Sequence, residues 1–300
     1  PWPTIAPMQC VKCNFRDIFA KLGLSFDLTT SPVGLDTAFN MAYTSLFSGR
    51  SATSFGFGWR STQNIRVSWD GSGNLSYQDE SGNFARWNFT SPNTYTPVTK
   101  DNFIEVNHDT INHLYILTFL DRTKRYFDDT TGRISKTVDR NGNTLNYRYD
   151  GSGRMDQVSD NSPTPRVMSI SYTGSPDGLQ PKTVTTGSHT VTFSYQTTAP
   201  YRLSTITDPA GLTTTFNYDV NGRLSTIVDP TGKTSNYYNY DSLGRLIAEQ
   251  SYGDSYTTYE YGYDGLAGTS ANATTVTVED LTGVSPLKLS VIVYDSAPTT

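Results

Sequence analysis

The chain has 300 residues, a net charge of −5 and 17% charged residues, below the roughly 25% usual for soluble domains. That balance excludes the basic face that a nucleic-acid backbone selects, and no run approaches the roughly 18 apolar residues of a membrane span. Gly 24, Pro 15 and Tyr 20 favour short strands joined by many turns over helices.

The lead-in, residues 1–21, starts PWPTIAPMQC, without the basic and apolar regions of a signal peptide. Cys10 and Cys13 stand in CVKC. A zinc site needs a second pair of ligands, and His108, His113 and His189 lie far off without ligand spacing. A redox C-x-x-C opens a helix in a βαβ unit, whereas this one is Pro-rich and then briefly helical. It reads as a local thiol pair or a small disulfide, and no metal is expected. Residues 22–120 are expected to form a β region. FNMAYTSLFSGRSATSFGFGWRSTQNIRV (39–67) leads into WDGSGNLSYQDESGNFARWNF (69–89), which has the rhythm of hairpins. HDTINH (108–113) spaces its histidines five apart, which places them on opposite faces of a strand as solvated residues.

Over 121–270 the chain repeats. Phe127, Tyr149, Tyr172, Tyr195, Tyr218, Tyr240 and Tyr263 follow one another at steps of 22, 23, 23, 23, 22 and 23 by subtraction. Three copies of the motif are complete. Tyr149, Asp150, Gly153 and Arg154 stand in YDGSGRM; Tyr218, Asp219, Gly222 and Arg223 in YDVNGRL; Tyr240, Asp241, Gly244 and Arg245 in YDSLGRL. FDDTTGRI (127–134) carries one extra residue, and YQTTAPYRL (195–203) keeps the aromatic and the Arg-Leu but loses the aspartate and the glycine. A second mark interleaves with the first: DRNGNT (139–144), DPAGLT (208–213) and DPTGKT (229–234). Asp accepts backbone N–H bonds, Pro presets φ and Gly takes φ > 0, so each repeat contains two turns.

Aromatics alternate before each Tyr-Asp, as in Phe216/Tyr218 and Tyr238/Tyr240, which places them on one face of a strand. After Gly-Arg the apolar residues fall three apart, as in Leu224/Ile227 and Leu203/Ile206, so either two-sided burial or a bulge is expected. The fold class is therefore all-β, with antiparallel β-hairpin repeats forming a long curled sheet and aromatics laddered across strands. Residues 271–300 are expected to continue the sheet; the last of them, VIVYDSAPTT, stop inside the pattern.

YDGSGRM, YDVNGRL and YDSLGRL, with DPAGLTTTFNYD and DPTGKTSNYYNYD between them, resemble the YD-repeat or RHS (rearrangement hot spot) family, strongly over about 121–265. Residues 39–67 look like the region that precedes the repeats in bacterial members, with Phe55 to Trp59 as a Phe-Gly-x-Gly-Trp element. The resemblance implies a spiralling sheet that curls into a hollow shell around a C-terminal toxin or, in animal teneurins, forms an extracellular adhesion module. Nothing in this chain resembles a toxin domain or the family's self-cleaving aspartyl segment.

The catalytic inventory is thin. Asp128 and Asp129 adjoin and so point apart on a strand; the repeated aspartates suit turn capping, and no nucleophile, metal-protease, phosphate or calcium loop motif is present. The repeated arginines (Arg133, Arg154, Arg223, Arg245) read first as partners of a neighbouring repeat's Asp or backbone, and second as a row of cations for anionic glycans. Trp59, Trp69 and Trp87 could stack on sugars if exposed, but aromatics on a sheet are more often core. The reading is a non-enzymatic scaffold of a secreted or cell-surface protein, part of a shell that encloses or displays a C-terminal effector. The alternative is a surface adhesin or self-assembling filament subunit that binds glycan. Expected partners are other β repeats or neighbouring copies through open sheet edges, an enclosed effector domain or a cell-surface glycan; no cofactor is expected.

Overall fold

A computed structural model describes residues 21–29, 35, 37–45, 52–53, 55–80, 82–91, 93–100, 102–176, 178–242, 244–251, 256–263, 272–280 and 287–294. Cys10 and Cys13, and with them the thiol reading, lie outside this set. Strands dominate, and no described helix is long and apolar enough to cross a membrane.

Three small sheets come first. Strands β1 (Lys21–Thr29), β2 (Thr37–Thr44) and β5 (Trp59–Ser61) form one; β3 (Ala52–Thr53) and β4 (Gly56–Phe57) pair as another. A 3-10 turn at Thr62–Asn64, capped by Ser61, leads into a four-stranded meander. Its strands are β6 (Arg66–Trp69), β7 (Leu75–Gln78), β8 (Phe84–Ser91) and β9 (Thr94–Pro97).

The rest is one sheet of 17 strands in strict sequence order, every pair antiparallel and the first and last strands unpaired with each other. It begins with β10 (Glu105–Asp109), β11 (Leu114–Thr118), β12 (Lys124–Asp128), β13 (Ile134–Val138), β14 (Thr144–Tyr149) and β15 (Met155–Asp160). It continues through β16 (Val167–Ser171), β17 (Thr183–Thr186), β18 (His189–Tyr195), β19 (Leu203–Thr207), β20 (Thr213–Tyr218) and β21 (Leu224–Val228). The last strands are β22 (Thr234–Tyr240), β23 (Leu246–Ser251), β24 (Tyr256–Tyr263), β25 (Asn272–Asp280) and β26 (Leu287–Tyr294). The sheet is open and grows by hairpins. Tyr-Asp turns lie along one edge, and the Asp-x-x-Gly turns of the interleaved motif lie along the other.

A bulge, not two-sided burial, accounts for the apolar spacing of three. In β20–β21, Asn217 pairs with Thr226 but Tyr218 pairs with Leu224, so Ser225 has no opposite number. The same slip leaves out Ser135, Asp156, Ser204 and Ile247 in the equivalent hairpins. One extra residue resets the alternation, so Leu224 and Ile227 both face inward and are fully buried, as are Met155 with Val158 and Leu203 with Ile206. The outward face is mostly hydroxylic: Thr185 bonds Thr190 (3.0 Å) and Thr207 bonds Thr213 (2.9 Å), which helps explain the low charge content.

Burial along the repeat sets the cost of truncation. Leu224→Ala should destabilise by about 2–5 kcal/mol in urea unfolding. Val220→Ala, four residues earlier at a fully exposed turn tip, should stay within about 0.5 kcal/mol. Equal costs would contradict the inward placement of Leu224.

Candidate functional site

Both turn types are one device. In YDGSGRM the Gly153 N–H donates to the Asp150 carbonyl (2.8 Å) and the Asp150 N–H donates to the Arg154 carbonyl (2.8 Å). This is a three-residue hairpin loop, a type I turn closed by a left-handed residue. Asp219/Gly222 and Asp241/Gly244 repeat it, and so do Asp139/Gly142, Asp208/Gly211 and Asp229/Gly232 on the other edge. All six glycines have positive φ. The aspartate's Oδ1 accepts the N–H groups two and four residues on: Asn221 (2.9 Å) and Arg223 (2.8 Å) for Asp219, Thr231 (2.8 Å) and Lys233 (3.0 Å) for Asp229. These bonds favour the charged carboxylate. The Thr231 and Lys233 donors hold Asp229 below the usual carboxylate range, and the Asn143 amide does so first for Asp139.

The Tyr-Asp corners differ from the others in carrying arginine. Arg154, Arg223 and Arg245 each donate from Nε to Oδ2 of the aspartate in their own turn, at 2.7, 2.7 and 2.6 Å. Of the two expected partners, a neighbouring repeat's aspartate or its backbone, the aspartate proves to be the one in the arginine's own turn, because a four-residue spacing across a tight bend brings the groups together. The arginine still reaches the next repeat: Arg223 Nη1 donates to the Asp241 carbonyl (3.0 Å), and Arg154 Nη1 to that of Gly178.

Its guanidinium also stacks on the next tyrosine of the metre. Arg133 lies over Tyr149 (5.4 Å), Arg154 over Tyr172 (4.3 Å), Arg202 over Tyr218 (5.9 Å) and Arg223 over Tyr240 (4.6 Å). Each of these tyrosines donates its hydroxyl to the carbonyl of the residue just after that arginine. The bonds are Tyr149 to Ile134 (2.9 Å), Tyr172 to Met155, Tyr218 to Leu203 and Tyr240 to Leu224 (each 2.7 Å). Tyr195 makes the same kind of bond to Pro181 (2.6 Å), where the loop has no corner arginine. Burial pushes the Tyr218 and Tyr240 hydroxyls well above their ordinary pKa, so they remain protonated donors. Successive repeats thus join through arginine and hydroxyl. Among the described residues, the ring-to-ring ladder expected from the aromatic metre does not form between repeats.

The rings of the repeats meet a different partner. The described residues of 39–67 form a strap along the row of corners on the inner face. Phe55 packs edge-on against Phe193 (5.1 Å) and Trp59 against Phe216 (5.2 Å). The strap bonds to one corner after another. Val67 N–H donates to the Gly132 carbonyl (2.9 Å), Gln63 Nε2 to Met155 (3.4 Å) and to the Tyr172 hydroxyl, and Leu203 N–H to the Phe55 carbonyl (3.2 Å). Trp59 Nε1 donates to the Tyr218 hydroxyl and Leu224 N–H to the Tyr43 hydroxyl, both at 2.8 Å. Nothing in the sequence of 39–67 announced these contacts.

Other candidate residues fall elsewhere. Trp59 and Trp87 are buried, which removes them as sugar platforms; Trp69 is part-exposed and packs near Tyr115 (5.5 Å). His108 and His113 are not on opposite faces: β10 ends at Asp109, His113 takes positive φ in the turn, and both rings converge on Asp129 Oδ2 at 3.1 and 3.5 Å. His113 remains exposed, while His108 stacks on Tyr115 (4.2 Å). Among the described residues no group of His, Cys, Asp or Glu is arranged to hold a metal. An open cleft of about 500 Å³ between Phe84, Phe103, Ile104, Phe119 and Asp121 holds a single titratable side chain.

Two outcomes follow from the corner geometry. A Cβ at Gly222 would run into the Arg202 guanidinium, whereas one at Gly232 would meet open space, although both glycines have positive φ. Gly232→Ala should therefore cost about 1–2 kcal/mol, and Gly222→Ala measurably more in the same denaturant titration. The second concerns acid. Burial raises the Asp160 pKa, but bonds from Ser162 and Arg166 outweigh it and bring the group from 3.8 to about 2. A depressed folded pKa means stability that is complete above the unfolded value and lost as pH falls through the folded one. The melting temperature should therefore fall between pH 4 and 2, and Asp160→Asn should flatten that slope; an unchanged slope would rule out this role.

Residues 202–234 match the family model of the RHS repeat. No curated protein matches the chain. Among solved structures the chain is similar to TcdB2-TccC3 without its hypervariable C-terminal region, at 16% identity and a TM-score of 0.40 over 90% of this chain. A Tc holotoxin pore from Photorhabdus luminescens follows at 16% identity and 0.29 over 87% of this chain. A porin-like protein from Bacteroides uniformis stands at 9% and 0.26, covering 92% of this chain and 96% of its own length. The chain spans 14% and 15% of the first two proteins. At these scores none of them establishes a shared three-dimensional arrangement. The matched segment holds one whole YDVNGRL corner between both of its flanking turns, one full period of the metre, so over these residues the chain carries a unit similar to the RHS, or YD-repeat, family.

Proposed function

We propose that this chain is a length of wall in a secreted or cell-surface YD-repeat protein, a non-enzymatic scaffold that encloses or displays a C-terminal effector. The observation that supports this reading is where the motif chemistry is spent. Aspartate closes the turn, arginine clamps that aspartate and the next tyrosine, and the tyrosine hydroxyl fills the carbonyl at the bulge. These groups hold repeat to repeat and leave little free for a substrate. The strap adds a tie across several repeats at once, as a wall under load from one side would need.

The test uses the complete open reading frame that contains these residues. If they are wall, segments encoded after residue 300 should resist protease in the folded protein. They should become cleavable when Tyr43→Phe and Trp59→Phe together loosen the strap without unfolding the sheet. A frame ending at residue 300, or equal cleavage with and without the substitutions, would sink the enclosure reading.

Among the described residues, β10 and β26 are each hydrogen-bonded to a strand on one side only, which favours a second reading, a surface adhesin or filament subunit built by strand addition. Light scattering over a concentration series separates the two, since a strict monomer leaves the filament without support.

A further inference from the structure

Five arginines follow the corner turns: Arg133, Arg154, Arg202, Arg223 and Arg245. Four of the turns open with an aspartate: Asp128, Asp150, Asp219 and Asp241. The turn before Arg202 opens instead with Gln196. The backbone keeps the corner's closing bond, with Gln196 N–H donating to the Arg202 carbonyl at 2.8 Å, as Asp219 N–H does to Arg223 at 2.8 Å. Gln196 therefore occupies the aspartate's position and offers no charge.

Arg202 nonetheless keeps the station of the other corner arginines. Its guanidinium lies against Gly222 of the next corner, 5.9 Å from the Tyr218 ring centroid, with the Phe57 ring at the same distance on the strap. Its Nε, the atom that binds aspartate in Arg154, Arg223 and Arg245, is buried and has no hydrogen-bond partner. The side chain as a whole is half-buried, so the cation is partly withdrawn from water while remaining within reach of solvent. The nearest charged corner offers no relief, because Asp219 is already bonded to Arg223 (2.7 Å). A partly desolvated cation without a counter-charge is an unfavourable arrangement, and a guanidinium's forked donors match a carboxylate in particular.

We propose that Arg202 is a recognition point for a carboxylate supplied from outside its own turn, either a small free carboxylate or the Asp or Glu side chain of a bound peptide. The incoming group would do for this corner what Asp150, Asp219 and Asp241 do for theirs. It would sit at the joint between β19 and β20, beside the strap residue Phe57, so the same ligand would tighten both the repeat joint and the strap.

The experiment compares melting in sodium acetate and in sodium chloride at equal ionic strength and neutral pH. The chain should melt about 1–3 °C higher in acetate. Arg202→Gln should remove that difference. Gln196→Asp, which restores a carboxylate to the turn, should raise the melting temperature in chloride by a similar amount and make acetate no better than chloride. Because Gln196→Asp keeps the arginine, it decides the question even if Arg202→Gln fails to fold. N-acetyl-aspartate amide against N-acetyl-asparagine amide separates the sources. An aspartate derivative effective well below the acetate concentration points to a peptide side chain; equal potency points to a free carboxylate. Acetate and chloride acting alike on the unsubstituted chain, or an acetate difference that survives Gln196→Asp unchanged, would overturn the proposal.

Discussion

One surplus residue after each corner is the constraint from which the joint follows. Where Ser225 drops out of register, β21 begins pairing with β22 only at Thr226 and Tyr237, so the Leu224 carbonyl stands outside the ladder. A buried carbonyl without a partner costs about 1–3 kcal/mol. The tyrosine that ends β22 answers it from the side, its hydroxyl 2.7 Å away. The same bulge turns Leu224 and Ile227 to one face, so the defect in the ladder and the apolar core have one origin.

The remaining motif residues follow from where that tyrosine lies. Its ring sits beside the preceding corner, where a guanidinium can stack and still reach its own aspartate. That guanidinium then rests on the next turn's glycine, which is bare for two reasons at Gly222: a left-handed φ, and the want of room beside Arg202. On the opposite edge, Gly232 answers only the first requirement. Equivalent turns are thus under unequal pressure. The Tyr-Asp edge is the chemically committed one, and the other edge is a plain hairpin return.

The strands and turns of the repeats were legible because their cause is local: alternation sets the strand, and Asp with Gly three residues on sets the bend. The bulge was half legible. A spacing of three between Leu224 and Ile227 fits both a bulge and two-sided burial, and only the register separates them. The strap was illegible for a different reason. Trp59 meets Tyr218 and Tyr43 meets Leu224 across 159 and 181 residues, and such contacts leave no period in the segment that makes them. His108 and His113 misled because strand alternation stops at Asp109, and a left-handed residue turns His113 back toward Asp129. Gln196 was visible only as a lost motif, with no sign that its arginine would keep its place.

The order of the strap's bonds has a consequence for how the chain closes during synthesis. Val67 meets Gly132, Gln63 meets Met155, Trp59 meets Tyr218 and Tyr43 meets Leu224. Phe55 meets Leu203, so the partners are made in the order Gly132, Met155, Leu203, Tyr218 and Leu224, and only Phe55 and Trp59 exchange places in the run toward the N-terminus. As the polypeptide emerges, the strap therefore fastens first at Val67 and last at the Tyr43 hydroxyl. Each fastening shortens the loop that the next must close, so the entropy of a 181-residue closure is never met in a single step. The backbone around Tyr43 pairs early with β1 and β5, but its hydroxyl is the last of these groups to find its partner.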